Sequence, residues 1–145
     1  MLGRLFAVAI GALALGTVLS GCSYFVSDVQ GFPSTEAFTS ALTQGGITCG
    51  GQAPVFTEKA DPTDPTFTYF EAPCGDLTLT YYPEGHPIGR DRCTRPDSTE
   101  VIVAGLNWTV VGAQGDQAQE MADAAKGEVM TVGQFDRQVC KNYRP

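Results

Sequence analysis

The chain reads as an α+β domain: an antiparallel sheet of four to five strands packed by two helices and stapled by two disulfides. Three observations carry this. Short stretches of strand character are separated by glycine and proline turns. Two segments, Ser34–Gln44 and Asp116–Lys126, place their apolar residues on one helical stripe. Four cysteines, Cys49, Cys74, Cys93 and Cys140, follow an apolar leader, and an even number in an exported chain reads as a disulfide framework. Short strands with hairpin signals, flanked by helices, favour α+β over a parallel α/β sheet.

In order along the chain, the first helix spans Ser34 to Gln44. Ser34 or Thr35 caps it, and Glu36 suits the positive end of its dipole. Phe38 and Leu42 stand at i,i+4 on one face with Ala41. Gly45-Gly46 stops it, and a left-handed Gly46 would bring Ile47 onto Leu42 in a Schellman motif. Residues 50–65 read as a loop. Its Asp61 and Asp64 invite a calcium reading, but calcium asks for several oxygens at fixed spacing, so a solvated turn is the better account. Thr66 to Ala72 is the first strand, with Phe67 and Tyr69 on one face and Phe70 on the other; Pro73-Cys74-Gly75-Asp76 turns the chain. Leu77 to Tyr82 is the clearest strand, Leu77, Leu79 and Tyr81 alternating with Thr78, Thr80 and Tyr82. Pro83 to Ser98 is a long irregular segment carrying His86, Arg90, Arg92, Cys93 and Arg95. Glu100–Ala104 and Asn107–Gly112 form a hairpin through Gly105-Leu106, a pair that suits a type II′ turn. Asp116 and Gln119 make a capping-box pattern for the second helix, whose buried stripe is Ala118, Met121, Ala122 and Ala125, and Gly127 ends it. Glu128–Val132 adds an edge strand, and Cys140 fastens the tail.

The N-terminal segment sets the location. Arg4 is the only charge before Asp28, and an apolar run from Leu5 to Leu19 follows it; a basic start, an apolar stretch and small residues near a cut describe a secretory signal. The run is a little short for a membrane span of about 20 apolar residues. Leu19-Ser20-Gly21-Cys22 resembles the lipobox of bacterial lipoproteins. The resemblance implies that the Cys22 thiol receives a diacylglycerol and that cleavage before Cys22 makes it the new N-terminus. Two acyl chains hold a protein stably where one holds it only marginally. Ser23 lacks the Asp that, in such proteins, signals retention at an inner membrane. The organisation expected is a signal peptide over residues 1–21, a lipidated tether over 22–33 and a single α+β domain over 34–145. The tether reaches at most about 36 Å. Its Tyr24, Phe25, Val26, Val29 and Phe32 either lie on the domain or enter the lipid interface.

Removing the first 21 of 145 residues leaves 124, one domain's worth. Arg4 leaves with the signal, so 9 basic residues become 8 against 16 acidic ones and the formal charge goes from −7 to −8. That balance argues against nucleic-acid binding, which wants a basic footprint, and gives no electrostatic help at an anionic membrane. No Cys-x-x-Cys pair is present, so redox and zinc chemistry are not indicated, and no cofactor or metal is expected.

Four cysteines allow three connectivities. We expect Cys49–Cys74, where the first helix stop meets the turn between the first two strands, and Cys93–Cys140, where the loop meets the tail. Arg90, Arg92 and Arg95 form the basic cluster of the mature chain; charged solvation of the loop is the better account, with anion or carboxylate recognition making them candidate ligand or partner contacts. Trp108 is expected in the core, with a stacking platform for a ligand as its sharper alternative. The sequon Asn107-Trp108-Thr109 reads as coincidence. His86 is expected on the loop surface.

Phe38, Leu42, Gly46-Ile47-Thr48-Cys49, Cys74 before a strand and Val103-Ala104-Gly105-Leu106-Asn107-Trp108-Thr109-Val110-Val111 together resemble small domains of actinobacterial lipoproteins of unknown function. That resemblance covers much of residues 34–130 and implies a small α+β sandwich without a known activity. The role expected is a membrane-anchored binding or protein-interaction module on the extracytoplasmic face, partnered by the bilayer through Cys22 and by an envelope protein. The alternatives are an envelope hydrolase, for which His86 is the one imidazole, and an inhibitor or accessory protein of a secreted enzyme.

Overall fold

The computed structural model describes residues 28–62, 64–86 and 97–139. The element order is α1 (Thr35–Gln44), β1 (Thr57–Ala60), β2 (Thr68–Cys74), β3 (Leu77–Tyr81), β4 (Val101–Ala104), β5 (Trp108–Val111), α2 (Gly115–Ala125), β6 (Glu128–Thr131) and α3 (Val132–Val139). The fold is α+β. One sheet runs β1-β2-β3-β5-β4-β6, antiparallel at every pair. Among the described residues, six strands and three helices replace the expected four to five and two.

Helix α1 forms for the reasons its sequence gives. Ser34 Oγ accepts from the Ala37 N–H at 3.3 Å, and the same hydroxyl is the main cause holding the Glu36 carboxyl below its usual range. Phe38 and Leu42 are fully buried. The stop is the expected Schellman motif: Gly46 takes φ 82°, its N–H donates to Thr43 O at 3.0 Å, and Ile47 N–H donates to Leu42 O at 2.9 Å.

Three expectations are corrected nearby. The stretch expected as loop contains β1, whose residues are all exposed and which is held by backbone pairing to β2. Strand β2 runs on through Pro73 and Cys74. Pro73 lies beyond the last β1 pair, Thr57 with Glu71, where a missing N–H costs no ladder bond. The β4–β5 hairpin is not a type II′ turn on Gly105, whose φ is not positive. Gly105 N–H donates to Trp108 O at 2.9 Å, and the residue is glycine because a Cβ there would fall on the Trp108 indole.

Helix α2 buries the expected stripe, Ala118, Met121, Ala122 and Ala125, but its expected capping box does not form. The first turn closes on the Gln114 carbonyl, which accepts from Gln117 N–H at 3.2 Å. Gln119 turns forward and donates to Asp123 Oδ1 at 2.9 Å. Helix α3 was not expected. It starts at a reciprocal box in which Thr131 N–H donates to Gln134 Oε1 at 2.8 Å and Gln134 N–H to Thr131 Oγ1 at 3.1 Å.

The sheet is covered on both sides. Alternate residues Ala72, Leu79, Tyr81, Val103, Trp108 and Val110 join Phe38, Leu42 and Met121 of α1 and α2 in the larger core. The other parity sends Ile102, Ala104 and Met130 to Val132 and Phe135 of α3 in a smaller one.

Candidate functional site

Of the residues singled out in the sequence, Cys22, Arg90, Arg92, Cys93, Arg95 and Cys140 lie outside the described residues, as does the expected Cys93–Cys140 bridge. Cys49 and Cys74 are joined as expected, with Cα atoms 4.6 Å apart, which fits disulfide geometry. Trp108 takes the core role. It is 0% exposed, so its ring offers no face to a ligand, and it packs at a tilt of 32° against Phe38, 5.0 Å between centroids.

Functional geometry concentrates where the N-terminal segment crosses one end of the sheet. Gln30 N–H donates to Lys126 O at 2.8 Å. Gln30 O accepts twice, from Leu106 N–H at 3.1 Å and from the Trp108 indole N–H at 3.0 Å. Two residues on, Asn107 grips one backbone unit from both sides: its Oδ1 accepts from Phe32 N–H at 2.9 Å and its Nδ2 donates to Phe32 O at 2.8 Å. Tyr81 OH donates to the same carbonyl at 3.2 Å, and burial followed by the nearby Glu36 charge pushes its phenol pKa up. Phe32 then packs on Phe38 at 5.2 Å. Val29 touches the smaller core and Phe32 the larger, so the strap passes from one face of the sheet to the other. Gly127 is needed on the far side of Trp108, since a Cβ there would meet the indole and the Ala104 carbonyl.

A row of rings lies on the second face at the same end. Tyr82 meets Tyr69 at 6.2 Å and His86 at 5.1 Å, and His86 meets Phe135 edge-on at 4.8 Å. His86 is therefore not a loop-surface residue. Its Nε2 lies 2.7 Å from Gly105 O, and facing a carbonyl that nitrogen must carry the hydrogen and donate. Burial lowers its pKa to about 4, so the ring is neutral at physiological pH, a weak base committed to packing. Burial also raises the Tyr82 phenol pKa.

Asp61 and Asp64 shape a turn as expected, but it is not a wholly solvated one, since Asp61 is buried. Asp61 Oδ1 accepts from Asp64 N–H at 3.3 Å, and Asp64 Oδ1 accepts from Thr66 N–H and Oγ1 at 3.1 and 2.6 Å. Among the described residues no group of three or more metal-ligating side chains is assembled.

Two hollows flank this framework. One of about 530 Å³ lies beside α1, between the hydroxyls of Thr39, Ser40 and Thr43 and the segment Pro54-Val55-Phe56, with Val55 74% exposed. The other, about 350 Å³, lies between Asp28-Val29 and the C-terminal end of α2 at Lys126. Trp108 lines neither. Val29 and Phe32 lie on the domain, one of the two alternatives expected for the tether; sequence reasoning missed the Asn107 clamp and the half-buried packing of His86. The findable signal was Phe32 beside Gly31, an aromatic next to a residue that lets the backbone approach.

Neither a family model, nor a curated protein, nor a solved structure matches this chain.

Proposed function

We propose that this chain is a bacterial envelope lipoprotein, held at the extracytoplasmic face of the membrane by acyl chains on Cys22, whose α+β domain serves as a binding or protein-interaction module. The observation that carries the reading is Leu19-Ser20-Gly21-Cys22 at the end of an apolar run. The fold adds support. The chain is pinned to the domain at Gln30, eight residues after Cys22, so an anchor there holds the domain close to the bilayer. No helix among the described residues is long and apolar enough to cross a membrane, and an acyl anchor needs none. His86, the imidazole of the hydrolase alternative, is used in packing, which favours binding over catalysis. A second bridge, Cys93–Cys140, belongs to the same proposal: export favours oxidation of paired thiols, and the tail begins directly after α3.

Mass spectrometry of the mature protein tests the anchor. The expected N-terminus is Cys22 with a diacylglycerol on its sulfur, and Cys22→Ser is expected to release the protein from membranes. An intact leader, or a free N-terminus elsewhere, overturns the reading. A non-reduced peptide map linking residues 93 and 140 checks the second bridge.

A further inference from the structure

We propose that the end of the sheet carrying the β4–β5 hairpin is the surface that rests on the lipid bilayer, with Leu106 at its point of contact. The inference rests on the acyl anchor proposed above and adds an orientation to it.

The chain leaves the domain at a fixed place. Gln30 is bonded on one side to Lys126 and on the other to Leu106 and Trp108, so whatever tension an anchor applies enters between the hairpin and the C-terminal end of α2. From Cys22 to Gln30 the chain spans at most about 28 Å fully extended, and far less when relaxed. The opposite end of the sheet is the Gly75-Asp76 turn. It is separated from the hairpin end by the length of β3, roughly 20 Å with its flanking residues. Bringing that turn to the membrane would draw the link taut along the whole domain, which costs the link its conformational freedom. Resting the hairpin end on the lipid leaves the link slack.

The hairpin tip is also suited chemically to lose water. Leu106 is 44% exposed, the large apolar side chain offered at that tip. Its backbone N–H is already satisfied by Gln30 O, and the Asn107 amide is consumed by Phe32. Moving the tip into the headgroup region therefore strands neither of these donors, and a stranded donor is what normally forbids such a move. The exposed charged residues near the exit, Asp28, Asp123 and Lys126, line the hollow beside it and stay on the wet rim. With a net charge of −7 for the whole chain, contact is driven by the anchor and by apolar burial rather than by anionic lipid, so it is expected to be insensitive to salt.

The test uses the full lipidated protein in phosphatidylcholine nanodiscs doped with a lipid bearing a nitroxide at the headgroup. Amide signals of Leu106 and Asn107 are expected to broaden at least threefold more than those of Gly75 and Asp76, equally in low and high salt. Leu106→Asp is expected to halve the broadening at Asn107. Equal broadening at both ends, or stronger broadening at the Gly75-Asp76 turn, overturns the orientation while leaving the anchor intact. Protein that carries no acyl chain and does not associate with the discs overturns the anchor and the orientation together.

Discussion

The two faces of this sheet are built by different means. The face under α1 and α2 is held by an interlocked aromatic core: Trp108, Phe38 and Phe32 in mutual contact, with Gly105 and Gly127 leaving room for the indole. The face under α3 is held by a thinner apolar patch, Ile102, Ala104, Met130 and Val132, continued by the ring row of Tyr82, His86 and Phe135. The first face derives its stability from volume and close fit. The second is completed by a histidine whose ring packs in its neutral form. The lesson is that one sheet can be closed on one side by fit around an indole and on the other around a titratable ring.

The largest expected effect breaks the first face. Trp108→Ala removes the centre of the core and the hydrogen bond to Gln30, at a cost of about 3–5 kcal/mol in urea unfolding. Gly127→Ala in the native background is also expected to destabilise, and by much less in Trp108→Phe. The two sites touch, so their coupling should exceed about 0.5 kcal/mol in a double-mutant cycle. Additive effects would mean that the indole does not dictate the glycine. Next is the disulfide on the same side: replacing Cys49 and Cys74 together by Ala is expected to cost about 3 kcal/mol, given the loop of 25 residues it closes.

The second face is sharpened by pH. Burial holds the His86 pKa down at about 4, against about 6.5 in the unfolded chain. A folded pKa below the unfolded one means that the unfolded state binds the proton more readily. The full stability is therefore present above about pH 6.5 and declines as pH falls toward 4. The whole shift corresponds to about 3 kcal/mol, and we expect about 2 because part of the ring still meets water. His86→Leu should flatten the stability profile between pH 6.5 and 4, while Trp108→Ala should keep the native slope. An unchanged slope in His86→Leu removes the distinction between the faces.

How much of this was legible follows the same division. Strand β3 and the α2 stripe were read because one side chain in two, or three to four in seven, is apolar there. The α1 stop was read because Gly45-Gly46-Ile47 is a local pattern with a local cause. Strand β1 was illegible because Thr57-Glu58-Lys59-Ala60 buries nothing, and its existence is a property of its partner. Helix α3 left two signs that a stricter reading would use. The run Val101-Ile102-Val103-Ala104 is apolar on both parities, which calls for cover on both faces of the sheet. Thr131 and Gln134 carry capping-box spacing as faithfully as Asp116 and Gln119 do. The partner that clamps the strap was out of reach, since Asn107 and Phe32 are 75 residues apart and no periodicity links them. Of the candidate contacts only Trp108 falls within the described residues, and its burial followed from size and apolarity.

The smallest effect compares those two helix starts directly. At α3 the leading donors all have partners: Val132 N–H goes to Glu100 O at 2.7 Å, Gly133 N–H to Ser98 O at 3.0 Å, and Gln134 N–H to Thr131 Oγ1. The first two come from the segment leading into β4, so the helix is set onto the second face by backbone, and the Thr131 hydroxyl completes the set. Thr131→Ala removes the acceptor that the Gln134 N–H uses, and is expected to cost about 1 kcal/mol, with Thr131→Ser recovering most of it. At α2 the first turn closes on a backbone carbonyl and the Gln114 cap makes no side-chain bond, so Asp116 contributes only its charge near the dipole. Asp116→Ala should therefore cost about 0.5 kcal/mol or less, and less still in high salt. Urea midpoints for the three variants decide it. If Asp116→Ala costs as much as Thr131→Ala and is indifferent to salt, the box expected from the sequence forms at α2 after all.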